Sequence, residues 1–208
     1  MLLVKEVFYS IQGEGPLSGR PVVFVRLSGC NLTCDFCDTD FQDGEPVELQ
    51  ALLGQIDVLA LGRTNIVVIT GGEPLLQNLG PLILTLHSHK FIVQIETNGT
   101  RRPDWLRAVT TGRGPVVVVS PKGDFGDCQL IDRADAFKFV LREGELPPKG
   151  ILDSAGILPR RPAIYLSPVD EGEGKSVDSL KNRAWVVKLC LEQGFYLSLQ
   201  LHKIINVQ

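Results

Sequence analysis

No apolar run in this sequence approaches the length of a signal peptide or a membrane span, and the opening segment already carries a charge at Lys5. The cytoplasm is therefore the expected compartment, with no membrane partner. Positive charge is not in excess either: 21 Lys and Arg stand against 24 Asp and Glu, a formal charge of −3, so no nucleic-acid partner is expected. Internal repeats, low-complexity tracts and linkers are all lacking, and the 208 residues are expected to form one domain over 1–208. An even, fully pairable count of cysteines is lacking too. Five cysteines in a reducing compartment disfavour a disulfide framework and favour a metal or catalytic role.

What the chain does have is a series of short, nearly continuous apolar runs: 22–27, 66–70, 91–97, 116–120, 137–141 and 163–167. Such runs predict strands buried on both faces. Helical patterns lie at 48–62, 81–90, 103–109 and 176–194, with Pro103 suited to a first turn and Gly194 to a stop. Alternation of the two predicts an α/β fold with a mainly parallel sheet. The stretch 120–163 is cut by "PKGDFGD" and "LPPKG" and leaves little room for long helices. The expected architecture is thus an incomplete, trimmed (β/α) barrel of about six parallel strands with reduced helices, and a strand-like run in the tail.

Three of the five cysteines, Cys30, Cys34 and Cys37, sit in "GCNLTCDFCDTDF" (29–41), directly after the first of those runs. Three thiolates bind three irons of a four-iron cluster and leave the fourth open to a small molecule. Structural zinc wants four closed ligands, which here would require Cys128, Cys190 or a distant His. The spacing favours the cluster and leaves zinc open.

The other strand ends carry "ITGGEPLLQ" (69–77), "ETNG" (96–99), "SPK" (120–122) and "SPVD" (167–170). In parallel α/β barrels the active site is built at these C-terminal ends. Each motif also reads as ordinary turn chemistry taken alone.

With Cys-x3-Cys-x2-Cys and an aromatic residue before the last cysteine, the loop resembles that of the radical S-adenosylmethionine (SAM) superfamily. Such enzymes reduce SAM at the open iron and use the resulting 5′-deoxyadenosyl radical to abstract hydrogen. The N-terminal "VFYSIQGEGPLSGRPVVFVRLSGCNLTC" narrows the resemblance to the 7-carboxy-7-deazaguanine synthase family, with "CDFCDTDF", "TGGEP", "ETNG", "SPK" and the closing "HKIINVQ" in agreement. It runs from about residue 5 to the C-terminus. The implied reaction is radical ring contraction of 6-carboxy-5,6,7,8-tetrahydropterin to 7-carboxy-7-deazaguanine with loss of ammonia, a lyase step toward queuosine and other deazapurines.

The resemblance also implies residue roles. Gln12, Gly13, Glu14, Arg26, Thr70 and the terminal Gln208 would contact the pterin, with Arg26 on its carboxylate. Cys30, Cys34 and Cys37 would hold the [4Fe-4S] cluster and Thr39 the Mg2+. Phe36, Cys37, Asp38, Gly71, Gly72, Glu73, Ser120, Pro121, Lys122, Ser167, Pro168, Val169 and Asp170 would bind SAM. Glu96 and Asn98 point to the same site without a choice between cofactor and substrate. His202 and Lys203 read either as pocket-shaping residues or as surface residues at a strand end. A homodimer is implied, as is an electron donor such as flavodoxin or ferredoxin. Two rival readings remain: an activase that installs a glycyl radical on a partner protein, and a non-catalytic zinc module.

Overall fold

The computed structural model describes residues 1–109, 114–123, 125–172 and 176–207. Among these residues nine strands form one sheet: β1 (Leu2–Ile11), β2 (Pro21–Leu27), β3 (Glu45–Val47), β4 (Ile66–Gly71), β5 (Ile92–Thr97), β6 (Val116–Val119), β7 (Ala136–Leu141), β8 (Ala163–Pro168) and β9 (Tyr196–Leu197). Their order is β3-β1-β2-β4-β5-β6-β7-β8-β9. The helices are α1 (Leu49–Ala60), α2 (Gly80–Ser88), α3 (Trp105–Ala108), α4 (Lys149–Gly156), α5 (Ser176–Gln193) and α6 (Leu201–Ile204).

The six apolar runs become β2 and β4 to β8, each parallel to the next. The α/β expectation with about six parallel strands therefore holds. The barrel does not close, however: β3 and β9 are the sheet's edges, so the architecture is an open, mostly parallel sheet. β1 and β3 add an antiparallel end, β1 pairing with β2 and with β3. The tail also departs from the expected strand. Only Tyr196 and Leu197 pair with β8, and the segment with His202 and Lys203 is the short helix α6. In the stretch 120–163, the one α-helix described is α4, of eight residues, in keeping with the expected lack of long helices.

Alternation along the strands separates two faces. Val23, Val25 and Leu27 of β2, Val67 and Ile69 of β4, and Phe137, Phe139 and Leu141 of β7 pack against apolar residues of α1, α2 and α5. The intervening positions point the other way. At the N-terminal ends they are apolar, with Val22, Ile66 and Val68 forming a small second cluster. Toward the C-terminal ends they become Arg26, Thr70, Glu96 and Lys138. The strands are thus largely buried on both faces, as expected, but the two faces differ. One face carries the core, and the other turns polar where the strands end.

Gly194 ends α5 with φ +71°, a left-handed conformation that suits glycine, and its N–H donates to Cys190 O. Among the described residues, no helix is long and apolar enough to cross a membrane.

Candidate active site

The polar ends of the strands open into a cavity of about 260 Å³. The cysteine loop forms one wall. Its base is closed by hydrogen bonds: Gly29 N–H donates to Phe41 O at 2.9 Å, and the Ser28 hydroxyl donates to the same oxygen at 2.8 Å. The end of β4 then docks beneath it, with Glu73 N–H donating to Gly29 O at 2.8 Å. This approach demands two glycines. A Cβ on Gly72 would stand 2.1 Å from Gly29 O, and one on Gly71, at φ +138°, would stand 2.1 Å from Leu27 O. Gly71 and Gly72 therefore line the cavity chiefly because nothing larger lets the loop sit down on β4.

Cys30, Cys34 and Cys37 all line the cavity. Burial pushes the Cys34 thiol up, the neighbouring Cys37 and Cys30 push it further, and Lys122 opposes them. No three His, Cys, Asp or Glu side chains among the described residues converge as a site for a single metal ion. Cluster ligation has a different requirement, because each thiolate binds its own iron. Three sulfur donors on one cavity wall, with room beside them, fit that group. Cys128 and Cys190 are half-buried elsewhere, packed against the core, and neither lines the cavity.

Two cations approach the Phe36 ring, with Lys122 Nζ 5.1 Å and Arg142 Cζ 5.7 Å from its centre. Arg142 Nη2 also reaches Asp35 at 3.0 Å, and its Nε donates to Glu171 at 2.8 Å, tying the cysteine loop to the end of β8. Asp38 and Thr39 follow Cys37 and line the same wall. Thr39 brings a hydroxyl, and Asp38 adds a carboxylate already engaged by Lys203 and Gln200. Mg2+ accepts few protein oxygens and completes its shell with water and ligand, so this sparse donor set suits it.

Much of the remaining lining comes from β1, β2, β5 and β7. Arg26 is fixed by Glu6, whose Oε1 accepts from Arg26 Nε at 2.6 Å, and its guanidinium lies 5.5 Å from the Phe8 ring. Across the parallel register Arg26 faces Thr70, so the two line adjacent parts of the cavity. Gln12 and Glu14 come from the turn after β1. Gly13, between them, packs closely on the C-terminal segment, since a Cβ there would meet His202 Nδ1 at 2.1 Å, and Gly13 O accepts from Leu201 N–H. The glycine is the seat of α6, which brings His202 into the lining, with Gln200 at its N-terminal cap. Burial pushes the His202 imidazole down and outweighs the attraction of Glu14 and Asp38.

The floor holds a buried ammonium. Lys138 Nζ lies 2.5 Å from Glu14 Oε2 and 3.4 Å from Glu96 Oε2. Burial alone would pull Lys138 down, but the two carboxylates overcome it and raise its pKa. Glu14 is held below its usual range despite burial because Lys138 overcomes it, whereas burial prevails at Glu96 and raises it. Glu96 Oε1 accepts from Gln94 Nε2 at 2.7 Å and from Gln12 Nε2 at 3.3 Å, while its buried Oε2 has no partner in hydrogen-bond geometry.

The other expected site residues divide between the lining and the structure behind it. The Glu73 side chain is fully buried behind the cavity, accepting from Leu75 N–H, the Thr97 hydroxyl and Asn98 N–H. Asn98 lines the cavity and donates to Asn31 in the cysteine loop at 3.1 Å. Ser120 lines it beside Lys122, which donates to the Ser120 hydroxyl. Pro121, Ser167, Pro168, Val169 and Asp170 do not line the cavity. Ser167, Pro168 and Val169 are buried, and Asp170 is tied to Lys203 and Ser179. Gln208 lies outside the described residues. Lys138 and Gln200 are lining residues that the motifs do not reveal. A lone lysine in the otherwise apolar run "FKFVL" is a signal that could have found the first.

The model of the radical SAM superfamily matches residues 24–128 of this chain. A 7-carboxy-7-deazaguanine synthase from Rhodospirillum rubrum is 41% identical over 223 aligned positions, covering 99% of this chain and 92% of the relative. One from Rickettsia prowazekii is 36% identical, covering 100% of this chain and 89% of the relative. Among solved structures, QueE from Escherichia coli matches with a TM-score of 0.73 and 26% identity over 96% of this chain and 93% of that one. With the cysteine loop, the glycine pair beneath it and near full-length relatives all in agreement, the chain belongs to the 7-carboxy-7-deazaguanine synthase family of radical SAM enzymes.

Proposed function

We propose that this enzyme converts 6-carboxy-5,6,7,8-tetrahydropterin to 7-carboxy-7-deazaguanine with release of ammonia, acting as a single domain in the cytoplasm. The observation that carries the reading is the gathering of two sets of residues in the lining of one cavity: the three cysteines, and Gln12, Glu14, Arg26 and Thr70. When bound, the cluster and SAM supply the radical that takes a hydrogen from substrate.

This chain's residues do the rest. Cys30, Cys34 and Cys37 hold the cluster, and Phe36 shelters the adenine. Gly71 and Gly72 admit the methionine end of SAM close to backbone. Glu73 acts from behind by fixing the Thr97–Asn98 turn. Arg26 pairs with the substrate carboxylate, and the turn bearing Gln12 and Glu14 accepts N–H groups from the pterin edge. Thr39 lends an oxygen to Mg2+. Gln208 would add a further substrate contact. The reductant is an electron donor such as flavodoxin or ferredoxin, and the working form is a homodimer without membrane or nucleic-acid partners.

The test is anaerobic cluster reconstitution followed by incubation with SAM, reductant, Mg2+ and carboxytetrahydropterin. Formation of carboxydeazaguanine is expected. Absence of product from protein with a full four-iron spectrum would reject the reading.

A further inference from the structure

Lys138 stands apart from every motif that carries the family resemblance, yet it is the most deeply placed charge in the cavity, with 8% of its surface exposed. An ammonium that deep survives only with partners. Two carboxyl groups flank it, Glu14 from the turn after β1 and Glu96 from the end of β5. Two buried carboxyls and one ammonium leave one negative charge more than the cation balances. The geometry allots the cation unequally, because Glu14 takes the short contact at 2.5 Å while Glu96 stands at 3.4 Å, its other oxygen held by Gln94 and Gln12.

We infer that Lys138 is a positioning residue for substrate recognition: it fixes Glu14, in place and in the ionised form, as the carboxylate acceptor for the N–H groups of the pterin edge. This rests on the function proposed above and adds a residue to it. The chemistry is direct. The aminopyrimidinone edge of a pterin offers adjacent N–H donors, and a carboxylate accepts two of them, whereas a protonated carboxyl presents a donor of its own to one. Burial by itself favours that protonated form. Lys138 reverses the balance, in accord with the lowered pKa of Glu14. The lysine is also rigidly placed, on β7 between Phe137 and Phe139, which are both sunk in the core on the opposite face.

Other charges around Glu14 and Lys138 come from each neighbouring element: Glu96 on β5, Lys122 after β6, His202 on α6 and Asp38 in the cysteine loop. None of them makes the 2.5 Å contact with Glu14. Removal of Lys138 therefore leaves burial and Glu96 to drive Glu14 toward protonation.

The experiment compares reconstituted wild type, Lys138→Met, Lys138→Arg, Glu14→Gln and the double variant Glu14→Gln, Lys138→Met. Steady-state kinetics are followed from mildly acidic to mildly alkaline pH, beside equilibrium SAM binding and the cluster spectrum. Lys138→Met is expected to lose about ten- to a hundredfold in kcat/KM for the pterin near neutral pH, the range for hydrogen bonds to a charged group. The loss should shrink as pH rises, because Glu14 then ionises without help. SAM binding and the spectrum should stay within about twofold of wild type. Ratios of variant to wild type at each pH cancel the titration of the ligand itself. In the Glu14→Gln background, Lys138→Met should cost little more, since its action passes through Glu14.

A pH-independent loss, or full additivity with Glu14→Gln, would overturn the inference. If Lys138→Met does not fold, Lys138→Arg decides: retention of the wild-type acid limb supports the role of the charge, and a displaced limb rejects it. Failure of wild type to turn over would reject the proposed function instead, a distinct outcome.

Discussion

Lys203 Nζ on α6 lies 2.6 Å from Asp38 Oδ2 in the cysteine loop, and the same nitrogen stands 3.1 Å from Asp170 Oδ2 beyond β8. One side chain thus joins the loop after β2, the end of β8 and the C-terminal helix across the mouth of an open sheet. Arg142 repeats the pattern between Asp35 and Glu171. An open sheet has no strand pairing to hold these parts together, so side-chain ion pairs substitute for the missing closure. Because the pairs are partly exposed, each is worth little alone and is weakened by salt. Lys203→Ala should therefore weaken SAM binding by about two- to fivefold at low ionic strength, with the difference narrowing at high salt. Titration of reconstituted protein with SAM at both salt levels checks this; a salt-insensitive difference would assign Lys203 a packing role instead.

Gly72 tests how closely the cysteine loop must sit. A methyl group there meets backbone at Gly29 O, a contact that no side-chain rotation relieves. Gly72→Ala is expected to push the loop from β4 and to lower the iron retained after reconstitution, while the far-UV spectrum stays that of a folded α/β protein. Iron and sulfide content measured beside circular dichroism separates local displacement from unfolding.

Glu73 supplies a stability prediction. Its two oxygens accept from three donors, and its side chain has no exposure to water. Glu73→Gln keeps the shape but replaces one acceptor by a donor, which leaves a buried N–H without an acceptor. The expected cost is about 1–3 kcal/mol, read as a lower urea midpoint with unchanged slope. An unaltered midpoint would mean that the turn at Thr97 and Asn98 does not depend on this carboxylate.

The sequence made the parallel strands legible because their cores are runs of Val and Ile, and it made the cysteine loop legible because its spacing has a chemical purpose. Closure was not legible. β1 and β3 pair antiparallel through "LLVKEVFYSI" and a three-residue edge, and neither segment is a continuous apolar run. Motif reading also leaves out what the same residues do for shape: Gly13 seats α6, and Glu73 braces a turn. Conversely, Lys138 belongs to no motif. Its importance depends on Glu14 and Glu96, 124 and 42 positions away, which only the folded sheet brings beside it.

Arg26 combines both kinds of role, which makes its variants informative. Glu6 takes Arg26 Nε at 2.6 Å and so aims the guanidinium along the cavity wall, over Phe8 and beside Thr70. If the guanidinium receives the substrate carboxylate, Arg26→Ala should raise KM for carboxytetrahydropterin by about ten- to a hundredfold, the range for hydrogen bonds to charged groups. Arg26→Lys should recover only part of this, since an ammonium lacks the planar fork that matches a carboxylate. Glu6→Gln, which keeps the cation but loosens its aim, should fall between wild type and Arg26→Ala. SAM affinity should be the same in all four proteins. Should Glu6→Gln equal Arg26→Ala and SAM affinity fall with both, Arg26 would be a structural partner of β1 and not a substrate ligand; KM and SAM binding measured on one reconstituted batch decide between the two.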